Sequence, residues 1–323
     1  MLAILLRNWF LPLLGLCLIT GFWAAEMLAP LADWLAFRNG LVASVFLLMG
    51  LTLQPRTMLG TIRRPRFWLL AILVNAIAVP VLAWLASWWL TPSLGGGLIV
   101  AAIVPCTLAS ASVWTRQGGG DEGIAMMVTV LTNLFCFLIV PFWLVRLLGQ
   151  QTEIGFWETA SKLAMLVAIP LVLAQGIRRA GAEGWGNRHK RSLSTIAQVG
   201  ILVMVLIGGS HSQRGYATEG ESAASAAELT WMATNAILIH CIALAVGIYL
   251  AGFLRASRSE QIAVGISGSQ KTLMVGLQIA IDAGVSLVPM IVYHAAQLLL
   301  DTMLVQQWKS ESERRAQCES ADP

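Results

Sequence analysis

The chain has 323 residues, of which 57% are hydrophobic and only 12% charged, and its mean hydropathy is +0.73. Soluble domains carry about a quarter charged residues, so this composition excludes a water-soluble fold and makes the lipid bilayer the principal partner. The net charge of +4 would suit an acidic ligand, but membrane topology accounts for the basic residues, and nucleic acid is excluded as a partner.

A helix crossing the hydrocarbon core needs about 20 mostly apolar residues, so a chain of this length holds about ten crossings. Apolar runs bounded by charges or by Gly and Pro lie near 9 to 30, 40 to 54, 67 to 90, 95 to 115, 122 to 148, 155 to 177, 193 to 210, 231 to 254, 260 to 280 and 286 to 308. The first resembles a signal peptide after Arg7, but nine similar runs follow and the topology needs it as a span. Trp84, Trp88 and Trp89 mark a span end as an interfacial belt. The five cysteines lack CxxC spacing and four sit inside apolar runs, which excludes a disulfide framework and a zinc site.

Lys and Arg accumulate in cytoplasmic loops. With the N-terminus inside, Arg7, Arg56, Arg63, Arg64, Arg66, Arg116, Arg178, Arg179, Arg188, Lys190, Arg191, Arg255, Arg258, Lys309, Arg314 and Arg315 all face the cytoplasm. Only Arg38, Arg146, Lys162 and Arg214 fall outside, and Lys271 lies within a span. Both termini are therefore expected in the cytoplasm of an inner (plasma) membrane protein. The polar loop 213–228 is expected outside and the tail 310–323 disordered, by composition alone.

Five spans in residues 1–150 and five in 151–309 place the second half upside down relative to the first, as in inverted-repeat transporters. Spans four and nine carry polar, break-prone sequence at mid-membrane depth: Pro105 to Thr115, and Gly265 to Thr272. Irregular backbone cannot face lipid, so the two breaks are expected to cross at the centre, where half-helix N-termini favour anions and C-terminal carbonyls favour cations.

Lys271 is the most informative residue, because a charge at this depth costs several kcal/mol and marks function more often than snorkelling. Ser267, Ser269, Gln270 and Thr272 surround it, and Thr107, Ser110, Ser112 and Thr115 face it. Each is a ligand or interhelical glue on equal terms. Thr129, Thr132 and Asn133 share one face of span five. In span ten His294, Gln297 and Asp301 share a face, which allows a proton path, although Asp301 is expected to approach the cytoplasmic interface. His240 and Asn235 read as structural, and Asp121 and Glu122 as caps behind Gly118-Gly119-Gly120. No phosphate loop, HExxH, GxSxG or pair of catalytic carboxylates is present, so no enzyme and no cofactor is expected.

At these residues the chain resembles the bile acid:sodium symporter family, in its divergent SBF-like branch. The stretch Pro105 to Asp121 is similar to that family's helix-four pattern, and Gly268-Ser269-Gln270-Lys271-Thr272-Leu273 to the branch's Gly-Ser-Gln/His-Lys-Thr-Leu signature. The resemblance implies an all-α fold of ten transmembrane helices as two inverted five-helix repeats. A panel of helices 1, 2, 6 and 7 would stand beside a core with crossed broken helices 4 and 9. It also implies two sodium sites. Thr129 and Gln270 stand at sodium-ligand positions and Ser112 replaces an asparagine, but Ala111 and Ala125 replace serines and Ile266 replaces the shared glutamate. Tyr293-His294 resembles an aromatic-His pair near substrate, followed here by Ala295 in place of asparagine.

The expected function is a secondary transporter that moves a small organic anion by alternating access, with Lys271 standing in for sodium. Coupling to sodium, to protons or to neither stays open, as does oligomeric state. Two rivals remain: an arsenite-efflux-type carrier, suggested by Pro105-Cys106-Thr107, and a non-transporting membrane regulator of ion homeostasis.

Overall fold

A computed structural model describes residues 9–58, 60–149, 155–219 and 224–321, with backbone alone for 215–219 and 311–321. Fourteen α-helical segments and one short 3-10 helix (Pro55–Met58) follow one another, and no strand occurs among these residues. In chain order the α-helical segments are α1 (Phe10–Trp23), α2 (Ala25–Asp33), α3 (Leu35–Thr52), α4 (Pro65–Ser87), α5 (Pro92–Ile103), α6 (Ser110–Gln117), α7 (Glu122–Leu134), α8 (Cys136–Leu148), α9 (Phe156–Arg188), α10 (Lys190–Glu219), α11 (Ala226–Phe253), α12 (Arg258–Ser269), α13 (Leu273–Asp282) and α14 (Val288–Ala321).

Six of these, α3, α4, α9, α10, α11 and α14, are long and apolar enough to cross a bilayer. The bent pairs α1 with α2 (98°) and α7 with α8 (64°) raise the number to eight. The two remaining stretches, expected as spans four and nine, are each divided into two short helices around non-helical backbone. Pairs α5 with α6 and α12 with α13 thus each carry a stretch of irregular backbone between two short helices.

Helices α1, α3, α9 and α10 pack largely on one another, while α4 to α7 and α11 to α14 gather around the two breaks. The approach of α1 to α10 depends on Gly21, where an added Cβ would lie 2.2 Å from the Leu206 carbonyl oxygen. Helices α11 and α12 meet at Gly247 and Gly265: a Cβ on the former would sit 3.0 Å from the Gly265 Cα. Without a hydrophobic drive between helices in lipid, such close backbone approach supplies the packing energy.

Two polar segments differ from expectation. The loop expected over 213–228 is largely helix, since α10 runs to Glu219 and α11 starts at Ala226 with Ser225 as its N-cap. The tail from 310 continues α14 to Ala321, with 322–323 outside the described residues. Composition measures the capacity to bury a core, whereas a helix already nucleated in the membrane extends at little cost through Glu, Arg, Gln and Ala. Asp121 caps α7 as expected, accepting from the Gly123 and Ile124 amides at 2.8 and 3.3 Å.

Gly247→Leu forces the α11–α12 contact apart and costs about 1–3 kcal/mol or more through overpacking. A lowered melting temperature of purified protein in detergent is the expected result; Gly252→Leu, facing only the far end of Gln261, serves as the tolerant comparison.

Candidate ion and solute crossing

The site is built where helices fail. Proline 80 has no amide hydrogen, and upstream of it α4 widens into a π-turn over Val74–Ala78, in which the Val79 amide donates to the Val74 carbonyl. The Asn75 and Ala76 carbonyls therefore lose their helical donors. Trp143 Nε1 takes the Ala76 carbonyl at 2.7 Å. Lys271 Nζ takes the Asn75 carbonyl at 2.6 Å.

Helix α5 ends at Ile103, and Val104 turns extended (φ −70°, ψ 157°). Its carbonyl, free at a helix C-terminus, accepts Lys271 Nζ at 3.0 Å, and Asn75 Oδ1 accepts the same ammonium at 3.2 Å. Three oxygens thus meet the three ammonium donors of a fully buried lysine. Asn75 Nδ2 points the other way and donates to the Gln270 carbonyl at 2.9 Å, with the Ser267 and Gly268 carbonyls at 3.4 and 3.3 Å. One asparagine therefore binds both the ammonium and the end of α12.

The two breaks meet. Between α12 and α13 the chain is extended at Gln270 and Thr272, and the Thr272 amide donates to the Pro105 carbonyl at 2.8 Å. Gln297 clamps Lys271 from α14: the Lys271 amide donates to Oε1 at 2.8 Å and Nε2 donates to the Lys271 carbonyl at 2.9 Å. His294 Nδ1 lies 2.9 Å from Gln297 Nε2. Tyr293 hydroxyl donates to the Ser269 carbonyl at 2.9 Å.

Of the polar residues singled out in the sequence, some converge and others support. Thr107 and Ser110 both donate to Gln270 Oε1, at 2.7 and 2.9 Å. Thr129 donates to the Thr107 carbonyl at 3.1 Å, Thr132 accepts the Cys106 amide at 3.2 Å, and Asn133 donates to the Cys106 carbonyl at 2.7 Å. Thr129 and Thr132 hold the first break, as does the Asn133 amide nitrogen, whereas Asn133 Oδ1 is buried without a partner. Ser267 and Ser269 bond back to their own helix at Ala263 and Gly265. Ser112 and Thr272 are buried residues, and the Thr115 hydroxyl is buried without a partner.

Asp301 does not approach the interface. It is 1% exposed and receives His240 Nε2 at 3.1 Å and Gln270 Nε2, because α14 is buried here by α11 and the second break. His240, expected to be structural, therefore belongs to the same network, with its Nδ1 3.4 Å from the Ser269 carbonyl. Asn75 also escaped the sequence reading. Its signal was a lone amide five residues before a mid-span proline.

The oxygens at the expected sodium positions are engaged internally: Gln270 Oε1 already accepts two hydroxyls, and Thr129 faces backbone. Ala111 and Ala125 offer methyl groups, and Ile266 packs with Ile262 and Val305 in an apolar cluster. Three of the side-chain donors that the resemblance implies for two sodium ions, at positions 111, 125 and 266, are thus missing. Cys106 is buried and receives the Thr129 hydroxyl at 3.6 Å.

A cavity of about 290 Å³ adjoins the crossing, lined by Trp9 and Phe10, Ser110 and Trp114, and Gln198 and Leu298. Ser110 joins its wall to Gln270. The cavity lies toward the end of the molecule that carries Arg116, Lys190 and Arg191.

An all-helical membrane protein whose broken segments cross on a buried cation, beside a cavity, has the anatomy of a transporter. Residues 8–310 match the SBF-like CPA transporter family, and the chain belongs to it. It is 26% identical to the Arabidopsis thaliana protein named Probable sodium/metabolite cotransporter BASS4, chloroplastic, over 93% of this chain and 72% of that one. It is 25% identical to the mouse Sodium/bile acid cotransporter 7, over 83% and 82%. Escherichia coli YfeH is 22% identical, over 95% and 96%.

Removing one side of the ammonium cage strands the other. Asn75→Leu and Lys271→Met are each expected to cost about 3–5 kcal/mol, read as a fall in thermal stability. The double variant should recover more than half of the summed loss, showing coupling between the two positions.

Proposed function

We propose that this protein is a secondary carrier that moves a small organic anion by alternating access, and that the Lys271 ammonium takes the place of the coupling sodium ion. The observation that carries this reading is the cage of Asn75 and Val104 oxygens around Lys271 Nζ. A fixed monovalent cation in an oxygen cage does electrostatically what a bound sodium ion would do. Unlike sodium, it cannot leave.

Further support comes from the N-termini of α6 and α13, which start beside the crossing and favour negative charge. The two broken segments occupy corresponding places in the two halves of the chain, in keeping with an inverted repeat of ten segments. Counting the Lys- and Arg-rich end as cytoplasmic, the cavity opens inward and both termini lie in the cytoplasm. The names of the relatives point to sodium-linked symport of bile acids or metabolites; the altered donor set argues against that coupling here. An arsenite carrier would need an accessible thiol, and the burial of Cys106 against Thr129 speaks against it.

Counterflow of organic acids into proteoliposomes separates these readings. With choline replacing sodium on both sides, the rate should stay within about twofold, and Lys271→Met should lower it by at least about tenfold, the loss of one ionic interaction in a low dielectric. Strict dependence on sodium would overturn the substitution of ammonium for ion. Cys106→Ser should leave arsenite tolerance of expressing cells unchanged.

A further inference from the structure

At the end opposite the cavity, Asp282 closes α13, where the helix dipole disfavours a negative charge. Two cations from other helices face it. Lys162 Nζ of α9 lies 2.6 Å from Oδ2, and Arg38 Nη2 of α3 lies 3.8 Å from Oδ1. Gln278 Nε2, one turn back on α13, donates to both oxygens at 2.9 and 3.0 Å.

Asp282 is therefore well supplied with donors, whereas Arg38 lacks acceptors. Its side chain is only 10% exposed, 3.8 Å is too long for a hydrogen bond, and it donates none among the described residues. Its Nε is buried without a partner, and so are Asn39 Oδ1 and Gln278 Oε1 beside it in sequence and along the same carboxylate. A guanidinium held out of water is costly unless its planar fork of donors is met, and the group that fits this fork is a carboxylate.

We propose that Arg38 and Lys162 form a seat for the carboxylate of a small organic acid on the side of the membrane opposite the cavity, a seat that Asp282 holds while the cavity is open. The inference rests on the anion-carrier reading and adds where the anion is held at the far side. Arg38 and Lys162 belong to α3 and α9, which pack on one another, while Asp282 ends the helix that leaves the crossing directly. Movement of α13 with the crossing withdraws Asp282 and frees both cations for the ligand. Ligand and Asp282 compete for one seat, which ties occupancy there to the state of the crossing.

The test titrates purified full-length protein in detergent with acetate, pyruvate and benzoate, following thermal unfolding. Asp282→Asn removes the internal competitor and should tighten carboxylate binding about tenfold. Adding Arg38→Gln should return the affinity to the wild-type level or below. Asp33→Asn deletes one negative charge from the same face, where Asp33 pairs with Arg214 at 2.7 and 2.8 Å, and should change binding by less than about twofold if only the seat matters. Should Asp282→Asn fail to fold, Arg38→Lys keeps the charge but loses the fork, and should weaken wild-type binding about tenfold. The proposal is overturned if no carboxylate binds Asp282→Asn, if Arg38→Gln leaves its affinity unchanged, if Asp33→Asn matches it, or if Arg38→Lys binds like wild type. Counterflow that ignores Arg38 and Asp282 sinks the seat and leaves the carrier standing; binding dependent on Arg38 without counterflow does the reverse.

Discussion

A backbone carbonyl that loses its helical donor inside a bilayer has no water to turn to, and the core of this protein is organised by that constraint. Pro80 and the π-turn before it release the Asn75 and Ala76 carbonyls; the end of α5 releases that of Val104. Trp143 satisfies one of the three and Lys271 the other two. The breaks and the buried lysine are thus mutually necessary, since the ammonium needs oxygens and the oxygens need a donor. Neither would be tolerated alone in hydrocarbon.

From this follows the geometry of the crossing. With Lys271 fixed through its side chain by α4 and α5, and through its backbone by Gln297 of α14, the second break is held from three directions. Gln270 beside it turns its amide between the hydroxyls of the first break and the buried carboxylate of Asp301. The second break therefore bridges a cationic and an acidic position only one residue apart. That separation of charge in a low dielectric explains why the surrounding groups, His240, Tyr293 and His294 among them, are all engaged in specific contacts rather than left as packing.

The two ends of the molecule differ in the same terms. At the basic end the wall of the cavity includes Ser110 of the crossing itself, so the proposed solute would meet the network there within one side chain. At the other end Asp282 bridges the helix leaving the crossing to Lys162 of α9 and faces Arg38 of α3. In the carrier proposed above, a rigid-body movement that opens one end would have this ionic contact to break at the other.

Much of this was legible in the residues. Composition dictated the membrane, the distribution of Lys and Arg gave the sidedness now proposed, and the Pro105 and Gly268 to Thr272 stretches marked where helices would fail. Lys271 announced itself because an uncompensated charge at that depth is too costly to be incidental. What the sequence by itself could not determine was the partner of each polar group. Asp301 reads as a residue nearing the interface, His240 as a structural histidine and Asn75 as an unremarked amide in an apolar run. Only the tertiary structure brought them to Gln270 and Lys271, because helix periodicity tells which face a side chain occupies and not which helix, 31 to 196 residues away in the chain, will face it.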